Sequence, residues 1–175
     1  ISGTFRLAMN TTELVQELVR RGYVDAALEG AYEETDDIST AAVAMMDDEV
    51  PGSTVAGQGD GESMQAKMAA LTVVQELGLA VGVVRSPSDH QGGHTWEIAF
   101  YEHRALPGSS DVGGLPLLEA APNSTFNWTC GDCVLAAAEK AEYFNTDAVD
   151  FPLFDHDETP RWRSGHRVRV VCPRV

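Results

Sequence analysis

Hydrophobic and polar residues alternate most clearly over residues 95–101. Glu97 and Ala99 lie on one face of that stretch, and the other face carries three large apolar residues, Trp96, Ile98 and Phe100. This is the period of a β-strand with one buried side. An apolar, β-branched run precedes it at residues 79–84, and the polar residues 85–91 join the two. The pattern predicts a hairpin with a long loop, whose second strand is the centre of a sheet.

The principal helix is predicted at residues 62–77, where apolar residues recur at the i, i+3 and i+4 spacing of a helix face. Ser63 is the expected N-cap and Gly78 the stop signal. Met64 and Met68 lie on the apolar stripe, and methionines at this spacing are expected in the core.

Shorter patterns predict the remaining elements. Strands are expected at residues 3–9, 115–119 and 167–172. Helices are expected at residues 12–22, 39–46 and 134–144. Pro116 restricts its strand to the edge of a sheet, because proline lacks the N–H that a central ladder needs. Residues 51–61 have the Gly, Ser and Asp composition of a flexible loop.

Together these elements predict an α+β fold, in which one principal helix packs on a mainly antiparallel sheet. Residues 1–121 are expected to form this module, with the acidic segment 13–61 as an insertion lying over the core. Residues 122–175 are expected to contain a connector and the start of a second, cysteine-bearing module.

Acidic residues dominate the charge. Twelve Lys and Arg stand against 27 Asp and Glu, which gives a formal charge of −15 and a pI near 4.5. This balance argues against nucleic acid and anionic membrane surfaces as partners. No stretch approaches the roughly 20 apolar residues that span a bilayer, so no membrane insertion is expected. The last fifteen residues hold five arginines, Arg161, Arg163, Arg167, Arg169 and Arg174. They form either a solvated basic face or a strand that docks on an acidic neighbouring module.

Three N-x-Ser/Thr sequons begin at Asn10, Asn123 and Asn127. A sequon is the acceptor pattern for N-linked glycans, and two of these three lie close together in a connector rich in Pro, Asn and Ser. The chain begins at Ile1 without an initiator methionine and looks like a piece of a larger protein. We therefore expect a secreted, glycosylated protein.

All three cysteines lie in the last third of the sequence. In an oxidising compartment we expect one disulfide that joins Cys172 to Cys130 or Cys133, with the third cysteine free or paired outside this chain. Cys130 and Cys133 also have the C-x-x-C spacing of a redox pair or half a zinc site. No second such pair or paired histidine follows them, so a structural disulfide is favoured.

Patterns for catalysis or cofactor binding are weak. His90 and His94 have zinc-like spacing, but Gly92 and Gly93 place a turn between them, and no H-E-x-x-H pattern occurs. The acidic segment 155–158 lacks the alternating ligands of a calcium loop, which leaves a solvated loop as the preferred interpretation. No nucleophile elbow or phosphate-binding loop occurs. We therefore predict neither an enzyme nor a bound cofactor or metal.

The order of these motifs resembles a repeat of very large extracellular proteins of algae and other protists. That repeat has a G-x-F-x-L strand, a helix packed with Ala and Leu, a V-x-V-x-R strand, a G-x-x-W-x-V-x-F strand and a G-x-x-P-L-L segment. The matching residues here are Gly3, Phe5, Leu7, Met64, Ala66, Leu71, Val83, Arg85, Gly93, Trp96, Ile98, Phe100, Gly114, Pro116, Leu117 and Leu118. The match spans residues 3–120, and the connection at 13–61 is much longer than in the repeat.

Similar repeats accompany immunoglobulin-like TIG domains in fibrocystin-like surface proteins, and they look like those of mastigoneme-type glycoproteins on cilia and flagella. The resemblance implies a structural module that packs against neighbouring modules of the same or an identical chain, in a cell-surface or flagellar filament. It implies no catalysis. The alternative is an extracellular adhesion or carbohydrate-binding module that uses loops such as residues 86–92 and 104–113.

Overall fold

A computed structural model describes residues 2–20, 22, 30–88, 93–102, 118–121, 125–127, 144–149 and 161–170 of the chain. The helices are α1 (Thr12–Arg20), α2 (Met64–Ala69) and α3 (Thr72–Glu76), and a short 3-10 helix covers Met46–Asp48. The strands are β1 (Ser2–Phe5), β2 (Leu7–Asn10), β3 (Tyr32–Glu34), β4 (Ile38–Ser39), β5 (Leu79–Arg85), β6 (Thr95–Glu102), β7 (Glu119–Ala120), β8 (Thr125–Asn127), β9 (Phe144–Val149) and β10 (Arg161–Val170). Small antiparallel sheets and a few helices make this a mixed α+β fold, as predicted.

The larger sheet has four strands in the order β5-β6-β10-β9. β5 and β6 pair antiparallel, with Val83 opposite Ile98, which confirms the predicted hairpin. β6 has a neighbour on each side, so the predicted central strand is confirmed. The strand predicted at residues 167–172 is confirmed as far as Val170, as the end of β10. β9 was not predicted from the sequence.

A second region of sheet is built around β1 and β2, which the chain interrupts at Arg6. At the interruption the backbone of Leu7 bonds to Thr35: Leu7 N donates to Thr35 Oγ1 at 3.0 Å, and Thr35 N donates to Leu7 O at 2.8 Å. β4 and β8 flank β1, whereas β3 and β7 flank β2. The single strand predicted at residues 3–9 is therefore divided into two. At the division, Leu7 N donates to a threonine side chain instead of to the backbone of a neighbouring strand.

The helical predictions are confirmed in part. α1 lies where it was predicted, and Gly22 follows it with a φ of +74°. Ser63 is the N-cap of α2, and its side chain accepts a hydrogen bond from Ala66 N. The predicted helix at residues 62–77 is divided at Leu71, which has an extended ψ of 133° and begins α3.

A short helix at residues 39–46 was predicted wrongly. Ile38 and Ser39 form β4, which pairs with β1, and the next helical turn begins only at Met46. The pairing explains the difference, since the backbone of Ser39 belongs to a sheet. Thr40 N then donates to Gly3 O at 3.0 Å, which continues the attachment to β1.

One hydrophobic cluster joins the two sheet regions and the helices. Phe5 on β1 packs against Trp96 on β6, with ring centroids 5.6 Å apart. Within the segment predicted as an insertion, Val15, Ile38 and Ala42 belong to the same cluster. These three residues lie in the interior with Phe5 and Trp96, so part of the acidic segment is built into the core.

Several predicted features lie outside the described residues. They are residues 134–143 of the predicted helix, whose last residue Phe144 begins β9, most of the strand at 115–119, and the connection at residues 89–92. Of the predicted edge strand, the structure describes β7 (Glu119–Ala120), which pairs with β2. Leu118 just before it is fully buried.

Candidate functional site

The most distinctive surface feature is a loop at residues 44–62, which we call the acidic loop. It carries five carboxylates, Asp47, Asp48, Glu49, Asp60 and Glu62. The sequence around it has no lysine, arginine or histidine between Gly22 and Ala66. A loop of this charge attracts cations and basic surfaces and repels anionic ones.

The acidic loop is folded by its own backbone hydrogen bonds. Three turns follow one another, closed by Ser53 N to Val50 O at 3.0 Å, Gln58 N to Val55 O at 3.1 Å, and Glu62 N to Gly59 O at 3.0 Å. Each turn has a glycine with positive φ in its third place, as a type II turn requires. Val50 N also donates across the loop to Gln58 O at 2.7 Å. A stretch with the composition of a flexible linker therefore has one defined conformation.

The Glu49 carboxylate links the first part of the acidic loop to the end of the loop. Its carboxylate accepts hydrogen bonds from the Ser63 hydroxyl, from Gly61 N at 2.8 Å and from Ser63 N at 3.1 Å. The hydrogen bond from the Ser63 hydroxyl is the largest influence that lowers the pKa of Glu49, and the two backbone donors and Lys67 act in the same direction against partial burial. The carboxylate is thus held ionised as a staple between the loop and the start of α2.

Two side chains from the larger sheet bind the turn at residues 41–42, just before the acidic loop. Arg85 Nη1 donates to Ala41 O and to Ala42 O, each at 2.9 Å. Trp96 Nε1 donates to the same Ala42 O at 3.2 Å. Gly57 crosses directly over this point, where an added Cβ would lie 2.6 Å from Ala42 N. The turn at 41–42 is therefore held on one side by hydrogen bonds from the larger sheet and on the other by close contact with Gly57.

The acidic loop and the start of α2 together cover the outer edge of β5. Met45 Sδ accepts a hydrogen bond from Val83 N at 3.3 Å, and Gln65 Nε2 donates to Val81 O at 2.6 Å. Side chains thereby satisfy two backbone groups that would otherwise be open to pairing with another strand. Association through this part of β5 is disfavoured, whereas contact through the exposed surface of the loop stays open.

Three large apolar side chains of the loop face solvent. Met46 is 47% exposed, Val50 52% and Val55 57%. Met46 and Val50 flank the acidic run 47–49 in sequence, on a backbone that is ordered by the turns described above. Val55 also lines a concave surface of about 400 Å³, which is formed by residues 52–57, 59, 60 and 62. The loop can act chemically as a rigid contact surface with apolar and anionic groups together.

A second cleft of about 250 Å³ lies where β3 meets the end of α2 and the start of α3. Three of the four charged residues that line it have partners. Glu33 accepts a hydrogen bond from Val73 N at 3.3 Å, Glu34 lies 3.8 Å from Arg6 Nη1, and Lys67 Nζ lies 3.6 Å from Glu62 Oε1. These carboxylates serve the fold: Glu33 supplies the acceptor for the first turn of α3.

Of the predicted glycosylation sites, Asn10 lies at the exposed end of β2. Its side-chain oxygen accepts a hydrogen bond from Thr12 N at 3.2 Å, at the start of α1. Asn127 is the last residue of β8, where its backbone pairs with Ser2. Asn123 and the cysteines Cys130, Cys133 and Cys172 lie outside the described residues.

Two of the histidines, His94 and His166, lie in described parts of the backbone. His94 Nδ1 lies 3.0 Å from Ser86 O, and the ring packs 5.9 Å from Trp96. His166 is in β10, paired with Ile98. His90 and the acidic segment 155–158 lie outside the described residues. Among the described residues, no three His, Cys, Asp or Glu side chains form a metal-binding group.

Sequence reasoning missed Glu49 and Arg85 as residues that organise this surface. Arg85 was named within the resemblance, and Glu49 lies in the acidic segment 13–61 without having been singled out. Their roles depend on contacts across 14 and 43 residues or more of chain, which no local pattern reveals. The one available signal was an arginine that ends an otherwise apolar strand.

Comparison with models of known families, with curated proteins and with solved structures gave no significant match. Within the described ranges, none of the helices is both long and apolar enough to cross a bilayer.

Proposed function

We propose that this chain is a structural module of a large glycosylated extracellular protein. It packs against neighbouring modules of the same or an identical chain, in a cell-surface or flagellar filament. In this proposal one principal helical segment supports the sheet, and a disulfide-bearing C-terminal tail leads into the next module.

The observation that carries the proposal is where the residues of the repeat-like pattern lie. Nine of them are buried apolar residues: Phe5, Leu7, Met64, Leu71, Val83, Trp96, Ile98, Phe100 and Leu118. Arg85, a tenth, fastens the 41–42 turn through two hydrogen bonds. A motif made of core and fastening residues specifies an architecture rather than a reaction, which favours a structural role.

Surface features support the extracellular part of the proposal. Asn10 is exposed at the start of its sequon, and the Asn10 side-chain oxygen is engaged by Thr12 N. A glycan attached through Asn10 Nδ2 leaves that oxygen in place, so glycosylation and the cap at α1 are compatible. Asn123, Asn127 and a disulfide from Cys172 to Cys130 or Cys133 complete the proposed extracellular features.

Immunogold electron microscopy of the source cells tests the proposed location. Antibodies raised against the folded chain should label an extracellular filament or surface coat at repeated positions. Label confined to the cell interior would contradict the proposal.

A further inference from the structure

We propose that Glu49 protects the bond between Asp60 and Gly61 from isomerisation to isoaspartate, and that Asp60 is the residue of the acidic loop that is modified when this protection is lost. The inference goes beyond the proposed function, because it holds whether or not the chain packs into a filament. It concerns a spontaneous covalent change in the backbone of the loop.

The sequence contains one Asp-Gly pair, at residues 60 and 61. Aspartate followed by glycine is especially prone to isomerisation, because glycine has no side chain that shields its nitrogen or restricts the backbone. Both residues are exposed to solvent. At Gly61, no atom of the described residues lies within 4 Å of the position that a Cβ would take. Steric shielding by the described residues therefore does not protect this bond.

The reaction needs no enzyme and no added reagent. The nitrogen of Gly61 attacks Cγ of the protonated Asp60 carboxyl group and forms a succinimide ring. One water leaves, made of a carboxyl oxygen, the carboxyl proton and the proton of Gly61 N. Water then opens the ring at the main-chain carbonyl carbon of Asp60, which leaves Gly61 attached through Cγ. The product has the same atoms as the original chain, with one more carbon in the path of the backbone.

The turn at residues 59–62 places the reacting groups unfavourably. Gly61 has a φ of +73°, and no described residue other than glycine has a positive φ, which is the combination found in a type II turn. Glu62 N closes the turn by donating to Gly59 O at 3.0 Å. The second residue of such a turn has a ψ of about +120°, which does not bring the Gly61 nitrogen beside Cβ of Asp60. Ring closure therefore requires rotation about the Cα–C bond of Asp60.

Glu49 opposes this rotation. Its Oε2 accepts a hydrogen bond at 2.8 Å from Gly61 N, the nitrogen that must attack. Its Oε1 accepts hydrogen bonds from the Ser63 hydroxyl and from Ser63 N, which hold the carboxylate in position. Hydrogen bonds to a charged acceptor are stronger than those between neutral groups. Since the rotation breaks the bond to Glu49, the attacking nitrogen is held away from Asp60.

Isomerisation would change the connection between the loop and α2. The added backbone carbon lengthens the turn that closes between Gly59 and Glu62, and Ser63, the N-cap of α2, follows directly. The carboxylate of Asp60 also moves, because the free acid is then the one on the Cα carbon. Protection by Glu49 therefore preserves both the turn and the surface of the loop.

Incubation of the whole 175-residue chain in warm neutral buffer tests the proposal. Isoaspartate at residue 60 is measured by enzymatic methylation of isoaspartyl groups and by electron-transfer fragmentation of the peptide. The folded chain should form it many-fold more slowly than the same chain in urea, where no turn holds Gly61. Glu49→Ala should raise the folded rate several-fold towards the rate in urea. The matched control, Asp47→Ala, removes an exposed carboxylate of the same loop and should follow the native chain.

A second variant separates loss of this contact from general loosening of the loop. Ser63→Ala removes the hydroxyl that donates to Glu49 Oε1 and caps α2, but it keeps Glu49 as the acceptor for Gly61 N. Its rate should stay close to the native rate. Circular dichroism establishes that each variant is folded. If Ser63→Ala modified Asp60 as fast as Glu49→Ala does, general loosening would be the cause and the proposal would be overturned.

Two other results would also overturn the proposal. One is a native chain that forms isoaspartate as fast when folded as in urea, a comparison that needs no variant. The other is a slower reaction in Glu49→Ala, which would show that the carboxylate acts as the base that removes the Gly61 proton. Either result leaves the proposed function standing, because that proposal depends on the location and the modifications of the protein.

Discussion

Arg85 and Trp96 stand directly opposite each other on β5 and β6, and both donate a hydrogen bond to Ala42 O. A guanidinium and an indole from neighbouring strands thus share one acceptor in the acidic segment. Trp96 is fully buried, so this acceptor lies at the boundary between the core and the loop. The sheet therefore fixes the position of the loop. Substitutions of Arg85 and Trp96 measure how much this attachment contributes to the stability of the fold.

Replacing Arg85 with Met should lower the free energy of unfolding by about 1.5–3 kcal/mol, since the variant loses two hydrogen bonds from a charged donor. Urea denaturation measures the change. The matched control is Arg20→Met, because Arg20 is exposed on α1 and pairs with Glu17 of its own helix. That variant should lie within about 0.5 kcal/mol of the native chain. Equal effects of the two substitutions would contradict the fastening role of Arg85.

Trp96→Ala should cost about 3–5 kcal/mol, as expected for a large side chain removed from a core. Trp96→Phe keeps much of the ring contact with Phe5 and loses the hydrogen bond to Ala42 O. The loss of unfolding free energy in the double variant Trp96→Phe/Arg85→Met should differ from the sum of the two single losses by about 0.5–1 kcal/mol or more, because the two donors share one acceptor. A double-mutant cycle in urea measures this coupling. Strict additivity would show that the two residues act independently.

Gly57→Ala should be more destabilising than Gly52→Ala. Both glycines have positive φ, +78° and +72°, so both variants pay about 1–2 kcal/mol for a left-handed backbone. An added Cβ at Gly57 would lie 2.6 Å from Ala42 N, whereas nothing lies within 4 Å at Gly52. The extra cost at Gly57 should be about 1–3 kcal/mol. Thermal and urea unfolding of both variants test it, and similar values for the two would argue against the crossing.

The Glu49 staple predicts a pH dependence of stability. Hydrogen bonds, first that from the Ser63 hydroxyl, lower the pKa of Glu49 in the folded protein. The unfolded chain has the ordinary value of about 4.3. The stabilisation is therefore complete above that pH and is lost as the pH falls through the lower folded value.

Glu49→Gln should accordingly reduce the urea midpoint at neutral pH and flatten its decline below about pH 4.3. Glu76→Gln, an exposed change at the end of α3, is the control and should follow the native curve. If Glu49→Gln kept the native slope in acid, the staple would have no role in stability.

The sequence predicted the elements that depend on local pattern. Alternation located β5, β6 and the end of β10, and capping residues located α1 and the start of α2. The remaining features of the fold depend on contacts between residues that are distant in sequence. The apolar spacing of Met64, Met68 and Leu71 continues through the break between α2 and α3, so periodicity could not reveal it. At the break, Val73 N donates to Glu33, which lies 40 residues earlier.

The conformation of the acidic loop could not be predicted from local sequence either. Its glycines and small polar residues have the composition of a linker, and composition carries no information about which turns close. The conformation depends on the Glu49 carboxylate and on the shared acceptor Ala42 O, both joined to partners far along the chain. The resemblance named Arg85 and Trp96 as members of a pattern, and their common acceptor appears only in the fold.

Peptide mass spectrometry of the native protein, prepared without reduction, tests the proposed extracellular glycoprotein most directly. We predict N-linked glycans on Asn10, Asn123 and Asn127, and a disulfide that joins Cys172 to Cys130 or Cys133. Unmodified asparagines together with three free thiols would contradict the proposal.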